Sequence, residues 1–175
     1  ESGLADVPGL SSDKVNAFAL TGKAGYTFDV KMQPRLFVNG AYFDGDEEEP
    51  AFNRLFSDHE YSEFIDATDL SNVWTAGGGL SAQLTEAVGL TGLANYFQAV
   101  EDFGADSTSV GVEVALSASY QYHDDLTFSA GYAHFFAGEG LKDGQFVAGN
   151  GTAPIGGLGE ADDLDYVFIE TRIGF

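Results

Sequence analysis

Residues 163–175 read DLDYVFIETRIGF. Val167, Ile169, Thr171, Ile173 and Phe175 carry no charge, while Tyr166, Glu170 and Arg172 fall between them. Alternation with a period of two marks a strand whose two faces meet different surroundings. Taken alone, the stretch also fits the last strand of a soluble sandwich, so the rest of the chain has to choose.

The same alternation runs through seven segments, at 15–28, 33–45, 72–85, 88–100, 110–123, 126–137 and 163–175. On one face of each, a run of positions, 36 in all, carries no charged or amide side chain. In the first it reads Phe18, Leu20, Gly22, Ala24, Tyr26, Phe28; in the fifth it reads Val112, Val114, Leu116, Ala118, Tyr120, Tyr122. The opposite faces carry Lys23, Arg35, Asn39, Gln83, Asn95, Glu113, Gln121, Glu170 and Arg172. If that side meets water, these residues line a pore.

Three features favour hydrocarbon over a protein core on the uncharged side. The segments run to about 12–14 residues, longer than the ~5–6 of soluble strands and enough for a tilted membrane strand. Short turns at 29–32, 86–87 and 124–125 alternate with long loops at 46–71, 101–109 and 138–162, as in outer-membrane barrels. Aromatic residues cluster at the strand ends. Phe18, Tyr42, Trp74, Tyr96 and Tyr132 fall toward the long loops, and Tyr26, Phe28, Tyr120, Tyr122, Phe128 and Phe175 toward the short turns. Two such girdles are what the interfacial preference of Tyr and Trp produces.

The expected fold is therefore all-β: an antiparallel transmembrane up-and-down β-barrel in the bacterial outer membrane, with residues 1–175 as one domain and the long loops extracellular. Its surroundings would be the lipid bilayer and lipopolysaccharide. Bacterial barrels have even strand numbers, and seven strands ending inside the periplasm would begin outside the cell. These strands are therefore expected to be the C-terminal seven of a barrel of about 16–18, with further strands upstream. An eight-stranded barrel filled by Phe37, Leu93, Phe97 and Phe168 is the alternative. Gly77, Gly79, Gly89, Gly111 and Gly131 on the same faces would leave gaps in it. The terminal Phe175 resembles the last-strand signature of bacterial outer-membrane proteins, which implies recognition by the barrel-assembly machinery.

Composition narrows the function. A net charge of −21 opposes nucleic acid as a partner, because phosphate binding needs a basic face. The absence of cysteine removes disulfides, thiolate metal sites and Cys nucleophiles. Most of the 28 acidic residues lie toward the long loops, densest in DGDEEEP at 44–50. That run reads as a solvated, self-repelling loop, or as a Ca²⁺ site built from Asp44, Asp46, Glu47, Glu48 and Glu49. In the second case cations would bridge to lipopolysaccharide. An acidic mouth that steers solutes by sign is a third reading. An enzyme is not expected: His134 and Ser129 point to opposite faces, and His59 and His123 sit in a loop and a turn.

Residues 43–74, FDGDEEEPAFNRLFSDHEYSEFIDATDLSNVW, carry a family resemblance. Gly45, Asp46, Phe52, Leu55, Phe56, His59, Tyr61, Asp66 and Asn72 make the stretch similar to the alginate-export family of outer-membrane porins. The resemblance implies a large barrel of about eighteen strands that exports an anionic polysaccharide through an arginine-rich lumen. The residues read directly give a mixed lining, Lys23, Arg35 and Arg172 against Glu113 and Glu170. The expected function is a channel for diffusion or export of small or polymeric hydrophilic solutes. Its rival is a structural or adhesion barrel whose acidic loops bind cations, surface polysaccharide or a partner protein. A homo-oligomer fits either.

Overall fold

The computed structural model describes residues 2–3, 15–16, 18–44, 72–102, 106–142 and 162–174. Two short strands, β1 (Ser2–Gly3) and β2 (Val15–Asn16), pair antiparallel with each other. Seven strands then form one sheet: β3 (Ala19–Thr27), β4 (Arg35–Phe43), β5 (Val73–Gln83), β6 (Val88–Ala99), β7 (Ser109–His123), β8 (Leu126–Ala137) and β9 (Leu164–Ile173). Their order in the sheet is their order in the chain, and every neighbouring pair is antiparallel. The architecture is up-and-down, and among the described residues one helical turn, α1 (Glu139–Lys142), follows β8.

The short turns have local causes. Met32 and Gln33 take positive φ angles to reverse the chain between β3 and β4. At the β5–β6 turn the Thr85 hydroxyl accepts hydrogen bonds from the Ala87 and Val88 amides at 3.3 and 3.0 Å. Such a side chain mimics a backbone turn. Asp124 and Asp125 form the turn between β7 and β8.

Two expectations need correcting. The segment 15–28 is not one strand: Val15–Asn16 belong to β2, and β3 begins at Ala19, which pairs with Phe43 at the end of β4. The ladder ends where its partner strand ends. The region 138–162 is not wholly loop, because α1 opens it. Loop 46–71, the acidic residues Asp46, Glu47, Glu48 and Glu49, and Phe175 lie outside the described residues.

The turns and strand ends are staggered. Leu36, Leu80, Gly92, Leu116, Tyr132 and Val167 follow Tyr26 along one ladder row. The turn residue Asp29 lies three positions beyond Tyr26, whereas Asp124 lies eight beyond Leu116. A row perpendicular to the strands thus climbs relative to the short-turn end as it crosses the sheet. Strand tilt has this effect. It lets Tyr26 stand near one rim and Tyr132 nearer the other, although they share a row.

Packing inverts the rule for a soluble sheet. The buried hydrophobic residues of the strands, including Ala41, Phe43, Val73, Phe97, Ala99, Ala133, Phe135 and Ala137, lie on the mixed face, toward the long-loop end. The apolar face is open. Leu80 and Leu116 on central strands are half exposed, and Ile169 is 83% exposed. A register shift at Phe97/Gln98 accompanies Gly111, whose φ is 150°, and Val110 beside it joins the buried cluster. A bulge re-aims a side chain in this way.

Asn72 holds the long-loop end together. It sits at φ 55°, a left-handed conformation that Asn tolerates better than most residues. Its Nδ2 donates to the Glu101 carbonyl at 2.9 Å and its Oδ1 accepts from the Glu101 amide at 2.8 Å. Its own amide donates to the Asp44 carbonyl at 3.2 Å. Ends of β4, β5 and β6 are thereby joined through a residue only 1% exposed. Replacing Asn72 with Ala should cost about 2–3 kcal/mol, from two lost buried hydrogen bonds and an unfavourable φ. Denaturant unfolding would measure it, with Asn72→Gly recovering only the backbone share.

Candidate functional site

The mixed face of the seven-stranded sheet is the surface with chemistry on it. The register places all nine sequence-predicted lining residues there. Lys23, Asn39, Asn95 and Glu113 fall on one row, across β3, β4, β6 and β7, with Gly77 of β5 between the asparagines. Gln83 and Glu170 share a second row through Gly89, Ser119 and Ser129, and Gln121 and Arg172 a third through Thr127. Arg35 shares a fourth with Ser81, Thr91 and Ser117.

Gly77 makes the first row possible. Asn39 Nδ2 donates to Asn95 Oδ1 at 3.0 Å across the intervening strand. A Cβ on Gly77 would collide with Asn95 Oδ1 and the Ala94 carbonyl. Glycine is thus the residue that lets two amides meet over β5. Beside them, Lys23 Nζ lies 5.1 Å from the centre of the Phe37 ring, within cation–π range.

Exposure divides the nine. Lys23, Arg35, Gln83, Gln121, Glu170 and Arg172 are open, and Arg172 Nη2 stands 3.4 Å from Glu170 Oε1. Asn95 and Glu113 are buried, Glu113 at 0% exposure. They lie on the expected face but beside Phe97, Phe135 and Val110 instead of in open water. Packing at the long-loop end draws them in. Thr75, next to this row, is also buried, and its hydroxyl has no hydrogen-bond partner. Open basic groups (Lys23, Arg35, Arg172) therefore face one open acid (Glu170) among the nine.

Three of the five inner glycines expected to leave gaps in an eight-stranded barrel are covered in this sheet. Aromatic rings of neighbouring strands lie over three of them: Phe37 over Gly79, Phe168 over Gly131 and Phe135 over Gly111. A side chain at any of these glycines would strike the ring. Flat rings on glycines fill a curved sheet surface and pin register. Periodicity sees a glycine but not the ring across from it.

On the apolar face the predicted aromatics form pairs near the two ends. Phe18 stacks on Tyr42 at 5.2 Å and Trp74 packs on Tyr96 at 5.4 Å toward the long loops. Tyr26 meets Phe28 edge-on at 5.0 Å, and Tyr120 meets Tyr122 at 6.4 Å, toward the short turns. Sequence reading missed a polar group here. Tyr132 and His134 both hydrogen-bond Asp165 Oδ1, His134 Nδ1 at 2.8 Å. These three are brought together by the β8–β9 pairing; Ser129 lies on the opposite face, in line with Glu170.

Of the proposed Ca²⁺ ligands only Asp44 is described. Its Oδ1 accepts a hydrogen bond from Tyr42 at 3.4 Å. Among the described residues no group of three or more His, Asp or Glu side chains could hold a metal ion. No helix among them is long and apolar enough to cross a membrane, a statement that does not bear on strands.

Comparison with known proteins found no family model that matches the chain. No curated protein matches it either.

Substituting Gly77 with Val should break the Asn39–Asn95 bridge and lower stability by about 1–3 kcal/mol, the usual cost of overpacking. Gly22→Val should be close to neutral, since nothing lies within 4 Å of a Cβ there. Unfolding midpoints of the pair would check the contrast.

Proposed function

We propose that this chain forms part of the wall of an outer-membrane β-barrel that conducts hydrophilic solutes. The observation that carries the reading is the open apolar face of a long up-and-down sheet whose packing lies on its other side. In water each exposed Leu or Val would forgo about 1.5–3 kcal/mol of burial. In a bilayer that loss vanishes, because hydrocarbon meets the stripe. The aromatic pairs near both ends of the strands suit the two interfaces.

The free edges support a larger barrel. β3 and β9 run in the same direction, since an even number of antiparallel steps separates them. Antiparallel closure therefore needs an odd number of further strands. Unpaired backbone groups in hydrocarbon cost several kcal/mol each, so both edges require partners. We take the total as about 16–18 strands, in keeping with the resemblance of residues 43–74 to alginate-export porins. The acidic loops would then face lipopolysaccharide and its bridging cations.

A second reading rests on a specific observation. The buried cluster around Phe43, Phe97 and Phe135 fills the long-loop end of the mixed face. A blocked bore fits a structural or adhesion barrel, whose acidic loops bind a surface polysaccharide or partner protein. Planar-bilayer recordings of the full-length protein separate the two. Ohmic current is expected for a channel; silence combined with tight binding of a surface polysaccharide would favour the second reading.

The membrane claim has its own test. Leu116→Arg should destabilise the folded barrel by about 2–4 kcal/mol, the cost of a charge facing mid-bilayer hydrocarbon. Ser117→Arg, one residue along on the other face, should fold normally and shift ion selectivity toward anions. Equal folding of both variants in lipid vesicles would sink the bilayer assignment.

A further inference from the structure

The helical turn after β8 folds back over the sheet instead of leading away from it. The Gly138 amide donates to the Val110 carbonyl at 2.8 Å, and the Leu141 and Lys142 amides both return to the Gly138 carbonyl, at 3.1 and 3.0 Å. Leu141 is 2% exposed and belongs to the cluster of Phe43, Phe97, Val110 and Phe135. The approach is close enough to require glycine twice. A Cβ on Gly138 would collide with the Ser109 carbonyl, and one on Gly140 with the Ser107 carbonyl.

The far side of the turn is tied by one residue at the start of β9. Asp163 Oδ1 accepts from the Ala137 amide at 2.9 Å and stands 3.9 Å from Lys142 Nζ. Both members of that ion pair are about half exposed, so it is screened by salt and holds weakly. Among the described residues, seating rests on one buried apolar side chain, two close glycine contacts, the Gly138–Val110 and Ala137–Asp163 hydrogen bonds and one loose charge pair. An element held this lightly over a buried surface belongs to the low-stability end of a fold, where moving parts are found.

We infer that Gly138–Lys142 is an inward-folded latch that closes the long-loop end of the mixed face by seating Leu141 in the Phe43–Phe97–Phe135 cluster. Its purpose, limiting passage along that face, rests on the channel reading; its closure does not. When Leu141 lifts, the cluster is uncovered and water reaches Ala99. The row of Asn39, Asn95 and Glu113 then borders solvent as well.

The chain has no cysteine, so a single introduced thiol reports cleanly. Ala99→Cys in the full-length protein, folded into vesicles, is treated with a charged, membrane-impermeant maleimide. Labelling should be slow, and at least about ten times faster when Leu141→Ser is added. Lys142→Glu leaves the cluster untouched and sets two acids together. It should speed labelling about threefold at low salt, with the gain shrinking at high salt. Heat-modifiable gel mobility confirms that each variant has folded. Unchanged labelling in both folded variants overturns the latch, whatever the conductance. Faster labelling in both, with no current from any of the proteins, keeps the latch and removes the channel. Faster labelling with larger single-channel current supports both.

Discussion

A sheet can leave one face bare only if something other than water covers it. Here the bare face is the apolar one, running across central as well as edge strands, from Leu36 through Leu80 and Leu116 to Val167. The hydrophobic effect acts on that face more strongly than on any other part of the described molecule, and the described residues do not answer it. Strand length and the paired aromatics near the ends accord with that open face, and the further strands belong to the barrel we propose.

The opposite face answers a different demand. It has to stay filled, with backbone strands only about 4.8 Å apart. Glycines leave room on one strand and rings from a neighbouring strand take it up, as Phe37 does over Gly79 and Phe168 over Gly131. Where the ring is replaced by an amide, Asn39 crosses Gly77 to reach Asn95. The same device thus serves apolar packing and polar bridging. It leaves the short-turn half open, with Arg172 and Glu170 in solvent, and the long-loop half closed around Phe97 and Glu113. A bore lined by these strands would be asymmetric along its axis, wet at one end and constricted at the other.

Much of the fold was legible because its causes are local. Period two in DLDYVFIETRIGF and its six counterparts marked the strands, and the breaks at 86–87 and 124–125 marked the turns, within a few residues of where the ladders end. Face assignment was legible for the same reason, since parity carries along a strand; all nine polar positions lie on the side expected. What parity does not carry is depth and partner. Glu113 reads like Gln121 in sequence, yet one is buried and the other open. Asn72 reads as the first residue of a strand, yet its side chain bonds Glu101 twenty-nine positions away. Gly111 reads as a void, yet Phe135 covers it.

The sequence by itself determined which side of each strand is apolar, how the strands follow one another and where charge accumulates, because these depend on residue type and on the two-residue repeat alone. Only the tertiary structure decided which rings cover which glycines, which polar groups are withdrawn from water, and that Leu141 turns inward. Those outcomes depend on register between strands distant in the chain. A shift of one residue would send every side chain to the other face, and no local pattern encodes the match.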